Sequence, residues 1–280
     1  RDRAVGAMPE GPEIRRAADA VAKVLVGRRI VEAEFDMPAL RAFEGRVKGH
    51  SVTAVDTRGK AMLTRFDNGL VMYSHNQLYG RWFAVRRGEE PRTHRQLRVG
   101  LHTRTHSALL YSASDIEIFD ASEEGEHPFL KRAGPDILDV TLAADDVAMR
   151  LSSSEFRNRA LGNLYLDQGF LAGNGNYLRS ETLWAARLNP FSRPSALDTG
   201  ALKRLARETL AIARRSYRTR GLTVPEKIAR ERRAQGMSFE QYRFQVYGRD
   251  GQPCYRCDTA IERLSSGSRS VFICPACQPR

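Results

Sequence analysis

Hydrophobic positions fall into three textures along the chain. Ile14, Ala17, Ala18, Val21 and Leu25 recur at the spacing of one helix face, so the pattern predicts a helix that begins near Pro12 and stops at Gly27. Between residues 30 and 119 the texture becomes that of strands. Segments 30–35, 51–57, 61–66, 70–74, 81–85, 96–101 and 108–111 are short and rich in β-branched and aromatic residues, and Asp67-Asn68-Gly69 reads as the turn of a hairpin. This spacing predicts a two-layer antiparallel sandwich or barrel. A turn at Gly134-Pro135-Asp136 follows. From residue 142 the apolar period lengthens again, predicting helices at 143–151, 155–168, 176–186 and 201–217. Residues 218–240 are charged and weakly patterned and read as an irregular connection. The last 35 residues return to short β segments around the cysteines. The expected organisation is a sandwich over 9–132, a linker at 133–141, a helical domain over 142–243 and a cysteine-bearing module over 244–280.

Composition narrows the class. The 41% hydrophobic content supports packed cores. No apolar run approaches the ~20 residues of a membrane span, and residues 1–7 lack the apolar stretch of a signal peptide. They read as a remnant upstream of Met8, the natural start. Net charge is +12, and residues 201–280 hold 17 Lys and Arg against 7 Asp and Glu, so most of the surplus lies in the last 80 residues. A basic region of this size, richer in Arg than in Lys, points to a polyanion, nucleic acid first.

Four short motifs carry chemistry. All four cysteines form two pairs, Cys254-x2-Cys257 and Cys274-x2-Cys277, separated by 16 residues. That spacing fits a tetrahedral four-thiolate zinc site, and four thiolates leave no open coordination position, so such a zinc is structural. Two disulfides are the alternative, disfavoured without a secretion signal. The polar loop between the pairs ends in Arg269, placed to meet a phosphate. The run Gly173-Asn174-Gly175-Asn176 joins two helical patterns. It is either a plain connection or a turn that lets backbone N–H groups and Asn176 approach an anion. Gln77-Leu78-Tyr79 offers an amide, an apolar side chain and a ring, which suits a wedge filling a gap in stacked bases, or is simply a strand end. Lys60 follows Arg58-Gly59 in a turn and would ordinarily be surface. Pro9-Glu10 precedes the first helix. If Met8 were removed, Pro9 would present a secondary amine able to form a Schiff base with C1′ of a sugar, beside a carboxylate able to move protons. Otherwise the stretch is an ordinary helix N-terminus, with Pro12 and Glu13 suited to a first turn.

Taken in order, PEGPE, TRGK, SHNQLYG, HPFLKRAGPD, FLAGNGNYLRSE and the four-cysteine hairpin with Arg269 resemble the Fpg/Nei family of DNA glycosylase/AP lyases, in its endonuclease VIII branch. The resemblance runs from about Pro9 to Cys277. It implies an α+β multidomain fold: an N-terminal two-layer β-sandwich with a leading helix, a helical domain with a helix–two-turn–helix motif, and a zinc finger, with DNA bound between domains. It implies that Pro9 is the Schiff-base nucleophile, Glu10 the proton donor for base release, Lys60 a phosphate contact and proton donor for β-elimination, and Arg269 the residue serving δ-elimination. Asn176 and Arg132 become DNA-backbone contacts, Gln77-Leu78-Tyr79 the wedge, and Glu13 a support of the site.

The expected activity is excision of oxidised pyrimidines from damaged or abasic double-stranded DNA in the bacterial cytoplasm, at the nucleoid, by a monomer with one structural zinc and no redox cofactor. The chain departs from the family pattern in Asn174, where an apolar residue is usual, in a longer 222–240 segment, and in the residues before Pro9. Two other readings stay open: an Fpg-type enzyme acting on oxidised purines, and a non-catalytic nucleic-acid-binding zinc protein.

Overall fold

The computed structural model describes residues 9–266 and 269–279. The chain divides into two compact units, one comprising residues 13–132 with the segment up to Pro9, the other Glu10–Pro12 with residues 133–280.

The first unit holds most of α1 (Gly11–Leu25), then β1 (Glu32–Phe35), α2 (Pro38–Arg41), α3 (Glu44–Val47), β2 (Val52–Arg58), β3 (Ala61–Phe66), β4 (Leu70–His75), β5 (Arg81–Arg86), β6 (Leu97–His102), β7 (His106–Tyr111), β8 (Asp115–Asp120) and α4 (Pro128–Arg132). Its strands form two antiparallel four-stranded sheets, ordered β1-β6-β7-β5 and β2-β3-β4-β8. One apolar core joins the two sheets and the inner face of α1, where Ile14, Ala18, Val21 and Leu25 meet Phe35, Met62, Phe66, Met72, Val99 and Leu110. The expected α1 ends as predicted, with Gly27 at φ 74.

β8 is the strand the hydrophobic pattern did not separate, and it completes the second sheet. Its sequence DIEIFD alternates as a half-buried strand should. The second sheet is covered on its other side as well. Phe119, Phe129 and Leu130 pack on Ala61, Leu63, Val71 and Tyr73, which explains why β3 and β4 are apolar almost without alternation.

The second unit holds α5 (Ala144–Ser152), α6 (Leu161–Leu164), α7 (Asn176–Ala185), α8 (Thr199–Arg218), α9 (Glu226–Ala234), α10 (Phe239–Tyr242), β9 (Glu262–Ser266) and β10 (Arg269–Ile273). Residues 155–168 do not form the single helix predicted. The N–H groups of Leu161 and Gly162 donate to the carbonyls of Ser192 and Pro190, at 2.9 and 2.7 Å, instead of to carbonyls four residues back, and only α6 stays helical. Residues 218–240 are likewise not irregular. Thr223 N–H donates to Arg243 O at 2.9 Å and closes a stem, and the excursion beyond it carries α9 and α10. Arg232 of α9 lies 3.3 Å and Arg249 lies 3.4 Å from the ring centre of Tyr255, so two cations stack on one aromatic ring. Residues 133–141 pack against 168–172: Gly134 N–H donates to Gln168 O, and Ala172 N–H donates to Pro135 O.

Candidate functional site

Glu10 is buried, 3% exposed. Its carboxylate accepts from the backbone N–H groups of Tyr177 (2.8 Å) and Leu178 (3.2 Å), so it caps the positive end of α7. The glycine turn makes room for it. A Cβ on Gly175 would lie 2.3 Å from the Glu10 carboxyl carbon, and Gly11 N–H donates to Gly173 O at 2.8 Å, with Gly173 at φ 100. The turn thus receives a carboxylate from its own chain. Asn174 inside it is 1% exposed, and neither polar atom of its carboxamide has a partner among the described residues. Gln168 braces the same turn, donating to Asn174 O and accepting from Gly173 N–H.

Asn176 is the first residue of α7 and stays half-exposed. Its side-chain oxygen accepts from Arg179, a residue one turn on that sequence reading passed over although it stands in the quoted motif. The Arg179 guanidinium is fully buried. It also donates to Gly162 O and Ser270 O, both at 2.8 Å, and so ties the start of α7 to the strand that carries Arg269. Burial lowers its pKa to about 10, against the pull of Glu10. Arg269 itself is exposed at the start of β10, opposite Ser266. The tip residues between them lie outside the described residues.

Glu181 is a second unforeseen buried carboxylate. It accepts from Thr223 Oγ1 (2.5 Å) and from the N–H groups of Gln245, Val246 and Tyr247 (2.8, 2.8 and 2.9 Å), fixing the segment that leads into the finger.

The four cysteine sulfurs lie within 4.8 Å of one another, with Cys254–Cys277 at 4.0 Å and Cys257 at 3.4 Å from both Cys274 and Cys277. All four are free thiols, too far apart for disulfides. A metal at ~2.3 Å from four thiolates needs sulfur–sulfur spacings near ~3.8 Å, so the residues fit one tetrahedral zinc. Trp184 of α7 packs with Val246, Ile261 and Phe272 beneath it.

The other candidates sit on the first unit. Pro9, half-buried, directly precedes Glu10 in the chain. Residues 1–8, and with them any question of Met8 removal, lie outside the described residues. Lys60 occupies the second position of the two-residue turn between β2 and β3, after Gly59 at φ 62. His75, at the end of β4, is held below its ordinary pKa by burial, against Asp115 and with a contribution from the Lys60 charge. Its neutral Nδ1 accepts from Gln77 N–H at 3.1 Å. Gln77 is at φ 49, and its carbonyl oxygen Oε1 accepts from Ser114 Oγ at 2.9 Å, while Arg95 donates to Tyr79 O. Gly80 has no space for a Cβ, which would lie 2.6 Å from Asn76 Cα. These contacts fix a loop whose Leu78 and Tyr79 side chains project, 50% and 64% exposed. Arg132 is exposed at the end of α4. Glu13 pairs with Arg16 on its own helix at 2.8 Å.

Known proteins bear directly on this arrangement. Residues 8–114 match the formamidopyrimidine-DNA glycosylase N-terminal domain, 133–227 the formamidopyrimidine-DNA glycosylase H2TH domain, and 251–280 the zinc finger found in FPG and IleRS. The chain belongs to the Fpg/Nei family of DNA glycosylases. Among its relatives, endonuclease 8 of Klebsiella pneumoniae and of Escherichia coli are each 48% identical over 271 residues, covering 97% of this chain and all of theirs. A solved structure of Lactococcus lactis formamidopyrimidine-DNA glycosylase bound to DNA containing an abasic site shares the fold, with a TM-score of 0.78 at 18% identity over 97% of this chain and all of that one.

Proposed function

We propose that the chain excises oxidised pyrimidines from duplex DNA through an imine at Pro9. The class of activity follows from the family: this is a base-excision-repair DNA glycosylase with AP lyase activity, carrying one structural zinc. The observation that supports the finer reading best is Glu10. A carboxylate next in the chain to Pro9 is buried and held in place by two backbone amides at the start of α7.

Pro9 bonded to Met8 has a tertiary amide nitrogen and no nucleophilic lone pair. Once it is the first residue, its secondary amine attacks C1′ of the damaged nucleotide, and the C1′–N bond to the base breaks as Glu10 supplies a proton. The C1′–O4′ bond then breaks, O4′ takes up a proton, and the opened sugar is held as an iminium that acidifies the C2′ proton. Its loss expels the 3′ phosphate, with Lys60 at that phosphate, and a further elimination assisted by Arg269 releases the 5′ phosphate. A base stacked in a duplex is out of reach of such chemistry, so the nucleotide must be extruded, and Gln77, Leu78 and Tyr79 fill the gap. Asn176 and Arg132 hold the backbone. The exposure of Leu78 and Tyr79 on a braced loop supports this role. The enzyme acts as a monomer on chromosomal DNA in the bacterial cytoplasm. The 48% identity to endonuclease 8 supports pyrimidine lesions over 8-oxoguanine. Single-turnover excision of thymine glycol and of 8-oxoguanine in matched duplexes tests it: thymine glycol should be released faster, and the reverse order would assign the chain to the purine branch.

A further inference from the structure

The basic surplus of the last 80 residues is not accounted for by Arg269 alone, and much of it lies on α8. This helix has two kinds of cation. Arg204 donates to Ala186 O (2.9 Å), Arg214 to Leu142 O (2.8 Å) and Arg215 to Thr223 O (2.5 Å), so these three fasten α8 to its own unit. Lys203, Arg207 and Arg218 are exposed and make no hydrogen bond or ion pair among the described residues. At about 100° per residue, positions 203, 207, 214 and 218 fall within roughly 60° of one another, a straight stripe about 22 Å long. The one carboxylate within α8, Glu208, stands about 100° away from it.

Helix energetics do not account for this stripe. Lys203 with Arg207, and Arg214 with Arg218, are like-charge pairs four residues apart, which repel. The opposite face of α8, with Leu205, Thr209, Ile212 and Ser216, is buried, and Ser216 Oγ lies 3.0 Å from the Tyr177 hydroxyl of α7. The stripe therefore faces away from the helix that carries Asn176.

We propose that the Lys203–Arg207–Arg218 stripe is a second phosphate-binding surface, which holds a separate DNA segment while a damaged segment is engaged at Asn176 and Arg269. The inference rests on the DNA-binding reading above. A surface of this kind lets an enzyme pass between neighbouring duplexes without leaving DNA, because non-specific grip comes from phosphate neutralisation alone.

The test uses protein beginning at Pro9, saturated with a short abasic duplex carrying one dye and titrated with an undamaged duplex carrying another. Wild type should form a ternary complex. K203Q/R207Q/R218Q should lose at least about tenfold in affinity for the second duplex, with its salt slope lowered by about two to three, while cleaving the first duplex at the wild-type rate. R207K/R218K, which keeps the charge, should restore capture. A wild-type complex that takes up no second duplex would overturn the proposal. So would equal capture by the glutamine variant, which would leave the stripe to an acidic protein. Failure of wild type to bind the abasic duplex at all would instead remove the glycosylase reading on which this one stands.

Discussion

Lys60 and Glu10 are held in opposite ways. Lys60 hangs from a two-residue turn at the edge of a sandwich whose stability comes from one large apolar core. Nothing in that core depends on its charge. Glu10 is itself part of the interior, as are Arg179 (0% exposed) and Glu181 (1%), and their hydrogen bonds are what join α6, α7 and the finger. In the first unit, chemistry is mounted on a finished fold. In the second, the polar groups that place the chemistry also hold the elements, because a buried charge must be stabilised by hydrogen bonds. Changes at the two sites should therefore differ in kind.

Removing zinc should divide the units most sharply. The finger has only a small apolar cluster under its thiolates, so metal release and local unfolding are coupled. Chelation is expected to abolish DNA cleavage while the sandwich keeps its strand signal in circular dichroism. Full activity in protein shown by metal analysis to contain no zinc would erase the distinction.

Glu10→Gln sharpens it next. The amide keeps an oxygen for one N–H of α7 but cannot donate an acidic proton. Base release from a thymine glycol duplex should fall by about 10²- to 10⁴-fold, while cleavage of a ready-made abasic site falls much less, read in single-turnover gels on the two substrates. Equal losses on both would mean that Glu10 is structural only.

The smallest effect concerns Asn174. Its carboxamide is buried with no partner among the described residues, and its backbone is not in the left-handed region, so the backbone admits leucine. Asn174→Leu should stabilise the second unit by about 1 kcal/mol, seen as a higher urea midpoint with unchanged cleavage. A lower midpoint would show that the amide is satisfied in solution.

How far the chain was legible follows the same division. The first helix and seven strands could be read because they are rich in apolar, β-branched and aromatic residues bounded by turn signals, and β8 was missed because Asp115, Glu117 and Asp120 break its apolar content. The four thiolates were legible because metal geometry fixes their spacing. Residues 155–168 misled because Leu161 and Gly162 give their N–H groups to residues 190–192, a long-range pairing that no local pattern encodes. α9 was hidden because only Ala229 and Arg232 of its residues are buried. Arg179 and Glu181 were invisible as interior groups because charged residues in a helix read as surface. The motif found Asn176 but not the guanidinium that holds it.

The central claim is that the amine of Pro9 is the nucleophile, and borohydride trapping on an abasic duplex tests it most directly. Protein beginning at Pro9 should yield a covalent adduct that maps to Pro9 and should cut the strand, and Pro9→Gly should retain some trapping through its primary amine. Protein keeping residues 1–8 should bind the same duplex without adduct or cleavage, because its Pro9 nitrogen is an amide. Equal trapping by the extended protein would contradict the account and pass the role to another amine, Lys60 being the first to examine.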